Sequence, residues 1–171
     1  GISVAMRAAC NGQLRNLEFL MKKGADLNHI DDYDMNVALY AAWEGHVEIL
    51  KLLINNGIDI LFKNQSGQSG FLLACEDGHI ETVRFLIDNG VSIYDKDNRN
   101  YSGLCFHFES KKAEAIKQNF LEYFMDRIRF DNLNDYLEQD KKFVEILNTH
   151  PEKKKVWNKF LKNYSAKIRV K

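Results

Sequence analysis

Apolar residues recur along this chain with a fixed period of 33 residues. Two series of glycines show the same period: Gly12, Gly45 and Gly78, and Gly24, Gly57 and Gly90. Between them, five columns are apolar in all three copies: Leu14, Val47, Ile80; Leu17, Leu50, Val83; Phe19, Leu52, Phe85; Leu20, Leu53, Leu86; Met21, Ile54, Ile87. A period of this length is typical of stacked-repeat proteins, whose units bury their apolar faces against one another.

Each copy has the pattern of two helices separated by a glycine. In the first copy the apolar positions of the two helices are Val4, Ala5, Ala8 and Ala9, and then Leu14, Leu17, Leu20 and Met21. This spacing places each set on one side of a helix, so each predicts a single buried stripe. Gly24 follows the second helix, where the chain turns with a positive φ that glycine adopts without steric cost.

Three segments with this pattern resemble ankyrin repeats: AAWEGHVEILKLLINNGIDI, LACEDGHIETVRFLIDNGVSI and, as a terminal copy, AACNGQLRNLEFLMKKGADLN. The resemblance covers residues 3 to about 98. It implies an all-α ankyrin-repeat solenoid, in which each repeat is a helix-turn-helix followed by a β-hairpin finger. The predicted fingers comprise residues 26–35, 63–70 and 94–101.

The helix starts depart from the family pattern. Ankyrin repeats usually have Thr-Pro-Leu-His at this point, whereas the second and third copies have Asn36-Val37-Ala38-Leu39 and Ser69-Gly70-Phe71-Leu72. Proline is preorganised for the first helical position, so its loss should soften these starts. His46 and His79 follow their glycines directly and match a family residue that hydrogen-bonds between repeats. We therefore interpret both as structural residues rather than metal ligands.

Residues 102–128 look like a degraded fourth copy. Ser102-Gly103-Leu104 repeats Ser69-Gly70-Phe71, but Lys111 and Tyr123 replace the two glycines. A helical stripe remains at Ala113, Ile116, Phe120, Leu121 and Phe124. We predict that this copy caps the array, because terminal repeats must present one solvated face.

The period is lost after residue 130, which predicts two parts: repeats at 1–128 and a helical C-terminal extension at 129–171. Apolar residues there indicate one or two short helices, at Leu133, Tyr136, Leu137, Phe143, Ile146 and Leu147. Pro151 fits the start of a last helix. Its apolar residues, which we expect to pack on the preceding helices, are Val156, Trp157, Phe160, Leu161 and Tyr164.

No group of residues predicts catalysis, a metal site or a cofactor. Cys105 and His107 are two residues apart on a predicted helix and so do not face each other. Cys75 stands in a column of alanines and is expected to be buried and inert. The three cysteines lack paired spacing, which indicates reduced thiols and an intracellular setting, in the cytoplasm or nucleus or, for a secreted effector, in a host cell. The apolar runs are too short for a transmembrane segment.

The resemblance implies non-catalytic recognition of another protein or peptide on a concave surface of fingers and first helices. It places these first-helix residues there as exposed positions: Tyr40, Trp43, Glu44, Leu73, Glu76, Asp77, Phe106, Glu109 and Ser110. The finger residues are Tyr33, Asp34, Met35, Asn64, Gln65, Asp97, Asn98 and Arg99. Carboxylates beside aromatic rings favour a basic partner, and a histone-tail reader that binds methyl-lysine is one alternative. Another is that Tyr40 and Trp43 pack against the neighbouring finger.

Charge is unevenly distributed along the chain. Residues 150–171 carry +7 and the rest −7, since the formal net charge is zero. The lysines of the last helix are expected to face water. Binding of nucleic acid or an anionic membrane through them is a less favoured alternative. Asn28 resembles the hydroxylated asparagine of some ankyrin proteins, although a turn role is commoner. A scaffold subunit and a host-directed bacterial effector both fit the pattern.

Overall fold

A computed structural model describes residues 1–109, 114–128 and 133–169, with side chains described for 1–109, 119–128 and 133–166. These residues form helices α1 (Val4–Cys10), α2 (Leu14–Lys22), α3 (Val37–Trp43), α4 (Val47–Asn55), α5 (Gly70–Asp77), α6 (Ile80–Asp88), α7 (Gly103–Glu109), α8 (Glu114–Ile128), α9 (Leu133–Gln139), α10 (Lys141–Thr149) and α11 (Pro151–Arg169). The mostly helical architecture is therefore as the sequence predicts.

The first helices of the repeats lie side by side. Helix α1 packs against α3, α3 against α5, and α5 against α7. Among the second helices, α4 contacts α6 and α6 contacts α8. Small residues permit the close approach: a Cβ atom built on Gly70 would lie 2.8 Å from the Cβ of Ala42, closer than real carbon atoms approach. The buried residues of these helices belong to one apolar core.

Side chains cap the first helices with the same 33-residue spacing. In α1, α3, α5 and α7 the side chain accepts a hydrogen bond from the backbone N–H three residues later, at 2.8 to 3.4 Å. The capping residues are Ser3, Asn36, Ser69 and Ser102. Such caps contribute about 1 kcal/mol each, so these helices begin at defined residues without a proline. Softer helix starts than those of proline-containing repeats stay a prediction.

Two histidines pack against glycines of the preceding repeat. Nε2 of His46 donates to the carbonyl oxygen of Cys10 at 3.0 Å, which confirms the predicted bond between repeats. The ring covers Gly12, where an added Cβ would lie 2.7 Å from Cε1. His79 covers Gly45 in the same manner, 2.7 Å from such a Cβ. A side chain at either glycine would displace the ring that joins two repeats.

The fingers are tight turns organised by an equivalent residue in each repeat. Asp31, Asn64 and Asp97 each accept, through Oδ1, a hydrogen bond from the backbone N–H four residues later, at 2.9 Å. Three residues after each of these, the backbone adopts a positive φ between 56° and 76°, at Asp34, Gly67 and Asn100. Asn and Asp tolerate this conformation better than most side chains.

The β-hairpin predicted for each finger is not confirmed. Within the described residues the fingers contain two isolated antiparallel bridges, Lys63 with Ser69 and Lys96 with Ser102, and no strand. The turn residues satisfy much of the backbone hydrogen bonding with side chains instead. A ladder of strands is therefore unnecessary for these short segments.

The fourth copy keeps its apolar stripe without the two glycines. Phe120, Leu121 and Phe124 of α8 are buried as predicted, while Ala113 and the side chain of Ile116 lie outside the described residues. His107 of α7 stacks on Phe120 with ring centroids 4.0 Å apart. Its Nδ1 also donates to the carbonyl oxygen of Cys75, at 3.2 Å. This copy is thus joined to the third repeat.

The helices that follow pack on α7 through aromatic rings. Phe108 contacts Phe143 of α10 and Trp157 of α11, with centroid distances of 5.1 and 5.8 Å. Trp157, Phe160 and Tyr164 form the buried side of α11. The helix start at Pro151 is confirmed. The division between residues 128 and 129 stays a prediction.

Asp140 joins three of these helices at their meeting point. It is only 1% exposed and accepts from the backbone N–H of Phe143 at the start of α10, at 3.2 Å. It also accepts from the hydroxyl of Tyr136 at 3.2 Å, and the thiol of Cys105 lies 4.0 Å away. Burial, with the charge of Asp140 second, raises the pKa of Cys105 to about 11. The thiol is therefore protonated and unreactive at neutral pH.

Candidate partner-binding surface

The residues predicted to bind a partner differ widely in exposure. Six are exposed: Tyr33, Trp43, Glu44, Gln65, Asn98 and Arg99. Four are partly exposed: Asp34, Asn64, Glu76 and Asp77. Three are buried: Met35, Tyr40 and Asp97. Whether any of them contacts a partner stays a prediction.

The expectation that the middle of each first helix is exposed is wrong. Tyr40, Leu73 and Phe106, which are equivalent residues of three repeats, are only 5 to 6% exposed. A finger covers Phe106, whose ring meets the ring of Tyr101 edge to face, with centroids 5.9 Å apart. Ser110, expected at the same surface, lies outside the described residues.

Tyr40 is held by the first finger. Its hydroxyl donates to Oδ2 of Asp31 at 2.7 Å, while Oδ1 of Asp31 accepts from the backbone N–H groups of Tyr33 and Met35, each at 2.9 Å. The alternative of packing against a finger is therefore correct for Tyr40. It also explains why Met35, the residue after the turn, is buried.

The ionisation of Asp31 provides a test of the contact between the first finger and Tyr40. Its burial alone would raise its pKa, but the hydrogen bonds from the Tyr40 hydroxyl and from the backbone of Met35 and Tyr33 lower the pKa below the ordinary value. A carboxylate whose pKa is lowered on folding stabilises the fold above its unfolded pKa, near 3.9. This contribution is lost as the pH falls below that value, through the folded pKa.

We therefore expect Asp31→Ala to reduce the free energy of unfolding by about 2 kcal/mol at pH 7, because it leaves the buried Tyr40 hydroxyl without its acceptor. The difference from the unmodified chain should shrink as the pH falls below the ordinary carboxyl pKa of about 4. Urea unfolding at several pH values measures both effects. Asp32→Ala, which removes an exposed carboxylate beside it, is the matched control and should change stability little.

The finger tips are joined by hydrogen bonds across the repeats. Nε2 of Gln65 donates to Oδ1 of Asp34 at 2.9 Å, and Nδ2 of Asn98 donates to the carbonyl oxygen of Gln65 at 2.7 Å. The backbone N–H of Asn98 donates to the carbonyl oxygen of Ser66 at 3.0 Å. Three of the predicted residues are thus joined in one connected strip: Asp34, Gln65 and Asn98. This strip is ordered before any partner arrives.

Arg99 lies on the aromatic residues of the third finger. Its guanidinium carbon is 4.6 Å from the ring centroid of Tyr101 and 5.9 Å from that of Phe106. Nε of Arg99 is also 2.9 Å from Oδ2 of Asp97. Asp97 is buried because it organises the turn, so we interpret it as a structural residue. Arg99 keeps most of its side chain exposed.

Carboxylates lie at the C-terminal ends of three successive first helices. We call Glu44, Glu76, Asp77 and Glu109 the acidic row; they stand at the ends of α3, α5 and α7. A helix C-terminus carries a partial negative charge of its own and favours cations. The negative potentials of the helix ends and of the carboxylates therefore add. The charge of Glu44 contributes, after burial, to the raised pKa of the neighbouring thiol of Cys10.

The aromatic residues of the surface do not form a cage. Trp43 is 38% exposed, but Tyr40 beside it is buried, and the two rings lie nearly parallel with centroids 6.4 Å apart. A methyl-lysine cage needs several accessible rings around one cation. The geometry gives this alternative no support.

Other kinds of site receive no support in the described part of the chain. Within residues 1–109, 119–128 and 133–166, no three His, Cys, Asp or Glu side chains cluster as metal ligands. Cys75 is fully buried, and burial raises its pKa well above the ordinary value. None of the described helices is both long and apolar enough to cross a membrane. The backbone N–H of Asn28 donates to Asp26 at 2.8 Å, as in a turn.

The sequence matches a model of a known protein family. A family model for ankyrin repeats, comprising three copies, matches residues 5–97 and 40–117. No curated protein matches the chain. Ankyrin repeats are in general modules of protein–protein interaction and are typically non-catalytic. The matched residues extend over most of the chain and coincide with the stacked helix pairs, so this chain belongs to the ankyrin-repeat family.

Proposed function

We propose that this chain is a non-catalytic recognition module that binds a basic segment of a partner protein along its fingers and its acidic row. The observation that carries the proposal is the position of Glu44, Glu76, Asp77 and Glu109 at three helix C-termini. Carboxylates are electrostatically unfavourable there, so their recurrence favours a functional reason. An incoming Lys or Arg would add a favourable charge contact with these carboxylates and helix ends.

Exposed groups beside the acidic row supply the remaining contacts. Trp43 adjoins Glu44 and offers an aromatic face, and aromatic residues are frequent anchors of interfaces. Gln65 and Asn98 offer polar groups on a strip whose hydrogen bonds already fix their positions. Less entropy is lost when a surface is ordered before binding. The intracellular setting expected from the free thiols stays part of the proposal.

A labelled peptide of eight lysines is a suitable probe, with binding followed by fluorescence anisotropy. Glu44→Gln together with Glu76→Gln should weaken binding about tenfold, as expected for the loss of two charge contacts on a partly exposed surface. Binding should also weaken as salt is added. Trp43→Ala should also weaken binding of the peptide, and it should not lower the midpoint of thermal unfolding.

The matched control is Glu48→Gln together with Glu81→Gln, which removes the same charge from the first turns of α4 and α6. It should leave the affinity nearly unchanged. If the control weakens binding as much as the test variant, net charge rather than the acidic row holds the peptide. If Trp43→Ala instead lowers the unfolding midpoint strongly, the indole is part of the fold.

A further inference from the structure

A positively charged cavity lies between the third finger and the start of α10. It has a volume of about 490 Å³, and four cations and one carboxylate are among the residues that line it. The cations are Lys96, Arg99, Lys141 and Lys142, and the carboxylate is Glu145. We call this cavity the cationic pocket. Its charge is opposite to that of the acidic row, so it suits an anion.

Arg99 and Lys142 of the pocket both lie against the ring of Tyr101. The guanidinium carbon of Arg99 is 4.6 Å from the ring centroid, and Nζ of Lys142 is 5.5 Å from it. Lys142 is paired with Glu145 at 3.1 Å. Asp97 accepts a hydrogen bond from Nε of Arg99, but the two terminal nitrogens of the guanidinium donate to no acceptor among the described residues. Paired N–H groups of this kind bind the oxygens of phosphates.

The remaining two cations belong to the finger and to α10. Lys141 is exposed at the first position of α10 and forms no ion pair with another described residue. Nζ of Lys96 donates to the carbonyl oxygen of Gln139, which joins the third finger to the extension. This contact holds the two sides of the pocket together, so the pocket is formed before an anion binds and less entropy is lost on binding.

We infer that the cationic pocket binds a phosphate monoester, carried by a phosphorylated side chain of the partner segment that contacts the acidic row. The identity of the carrier rests on the proposed function, whereas the anion site does not. A phosphate group has nearly two negative charges at neutral pH and three acceptor oxygens. The pocket offers it the guanidinium of Arg99 and the ammonium groups of Lys141 and Lys142. A carboxylate, with one charge and two oxygens, would satisfy fewer of these donors.

The pocket adjoins the acidic row through Tyr101. The hydroxyl of Tyr101 donates to Oε1 of Glu109, a member of the row, at 3.4 Å, while its ring contacts Arg99 and Lys142. A single tyrosine side chain thus separates the negative surface from the positive pocket. An extended segment rises about 3.3 Å per residue. A basic residue at Glu109 and a phosphorylated residue in the pocket would therefore be within about three residues of each other.

Two pairs of labelled peptides test the inference by fluorescence anisotropy. The first pair has four lysines, two glycines and then either phosphoserine or serine, and the second pair has glycine in place of every lysine. In the first pair the phosphorylated peptide should bind about tenfold more tightly. Net charge alone predicts the opposite for an acidic surface, because the phosphate makes the peptide less positive. In the second pair only the phosphorylated peptide should bind.

Arg99→Gln together with Lys141→Gln should remove the tenfold difference within the first pair. Lys141→Gln alone should reduce it to about threefold. Because this lysine is exposed, its substitution should leave the midpoint of thermal unfolding unchanged. The matched control is Lys155→Gln together with Lys159→Gln, which removes the same charge from exposed positions of α11. It should preserve the difference.

The inference is overturned if phosphoserine gives no advantage in either pair, or if the control variant removes the advantage as fully as the pocket variant. It is also overturned if inorganic phosphate, measured by isothermal titration calorimetry, binds as tightly as the phosphorylated lysine peptide, because a free anion is then the occupant. If the lysines add no affinity while phosphoserine still does, the pocket for phosphate is supported, and the proposed binding of a basic segment to the acidic row is wrong.

Discussion

Phe143→Ala should reduce the free energy of unfolding by about 3–5 kcal/mol, the range for removing a fully buried aromatic ring. Phe143 is 0% exposed and lies between the rings of Phe108 and Trp157, at centroid distances of 5.1 and 5.2 Å. Its removal deprives both neighbours of a contact and leaves a cavity where the extension meets α7. Urea unfolding, followed by circular dichroism and by tryptophan fluorescence, measures the loss.

Phe19→Ala is the matched control for this prediction. It removes the same side chain, but Phe19 is 59% exposed, so the change in stability should stay within about 0.5 kcal/mol. If the two substitutions have equal effects, the extension does not pack on the repeats as described. The fluorescence comes from Trp43 in the repeats and Trp157 in the extension, so a single fluorescence transition that coincides with the loss of helix signal would indicate cooperative unfolding.

Leu53→Ala should reduce the free energy of unfolding by about 2–5 kcal/mol. Leu53 belongs to one of the five recurrent apolar columns and is 0% exposed in α4. Leu61→Ala, at a residue that is 53% exposed, is the control and should be close to neutral. Thermal or urea unfolding of the two variants suffices. A neutral result for Leu53 would mean that the column assignment is incorrect.

The recurrent glycines and apolar columns were sufficient to predict the helix pairs and their order. Periodicity works well here because each repeat buries equivalent residues against equivalent neighbours. The helical extension was also predictable, from the loss of the period and from Pro151. What the pattern could not give was the direction of each side chain relative to the fingers. The prediction that Tyr40 is exposed is therefore wrong: the family resemblance places it on the exposed side of α3, but its hydroxyl donates to Asp31 of the finger, which covers it.

Two further columns of the 33-residue period predict features of the fold. Residues 31, 64 and 97 are Asp, Asn and Asp, a recurrence that predicts a turn-organising side chain and would have assigned Asp97 to the fold. Residues 9, 42, 75 and 108 are Ala, Ala, Cys and Phe. The last of these is too large to face another closely packed helix, so it indicates where the stacking of repeats ends.

The aromatic contacts of Phe108 have a consequence for assembly. An open head-to-tail filament requires two complementary ends on every subunit. The small residues Ala42 and Cys75 approach the next first helix, whereas Phe108 in the same column meets Phe143 and Trp157. The extension thus occupies the position that a following repeat would take. Within the described residues, a further repeat could therefore not pack on this side of α7 unless the extension moved away.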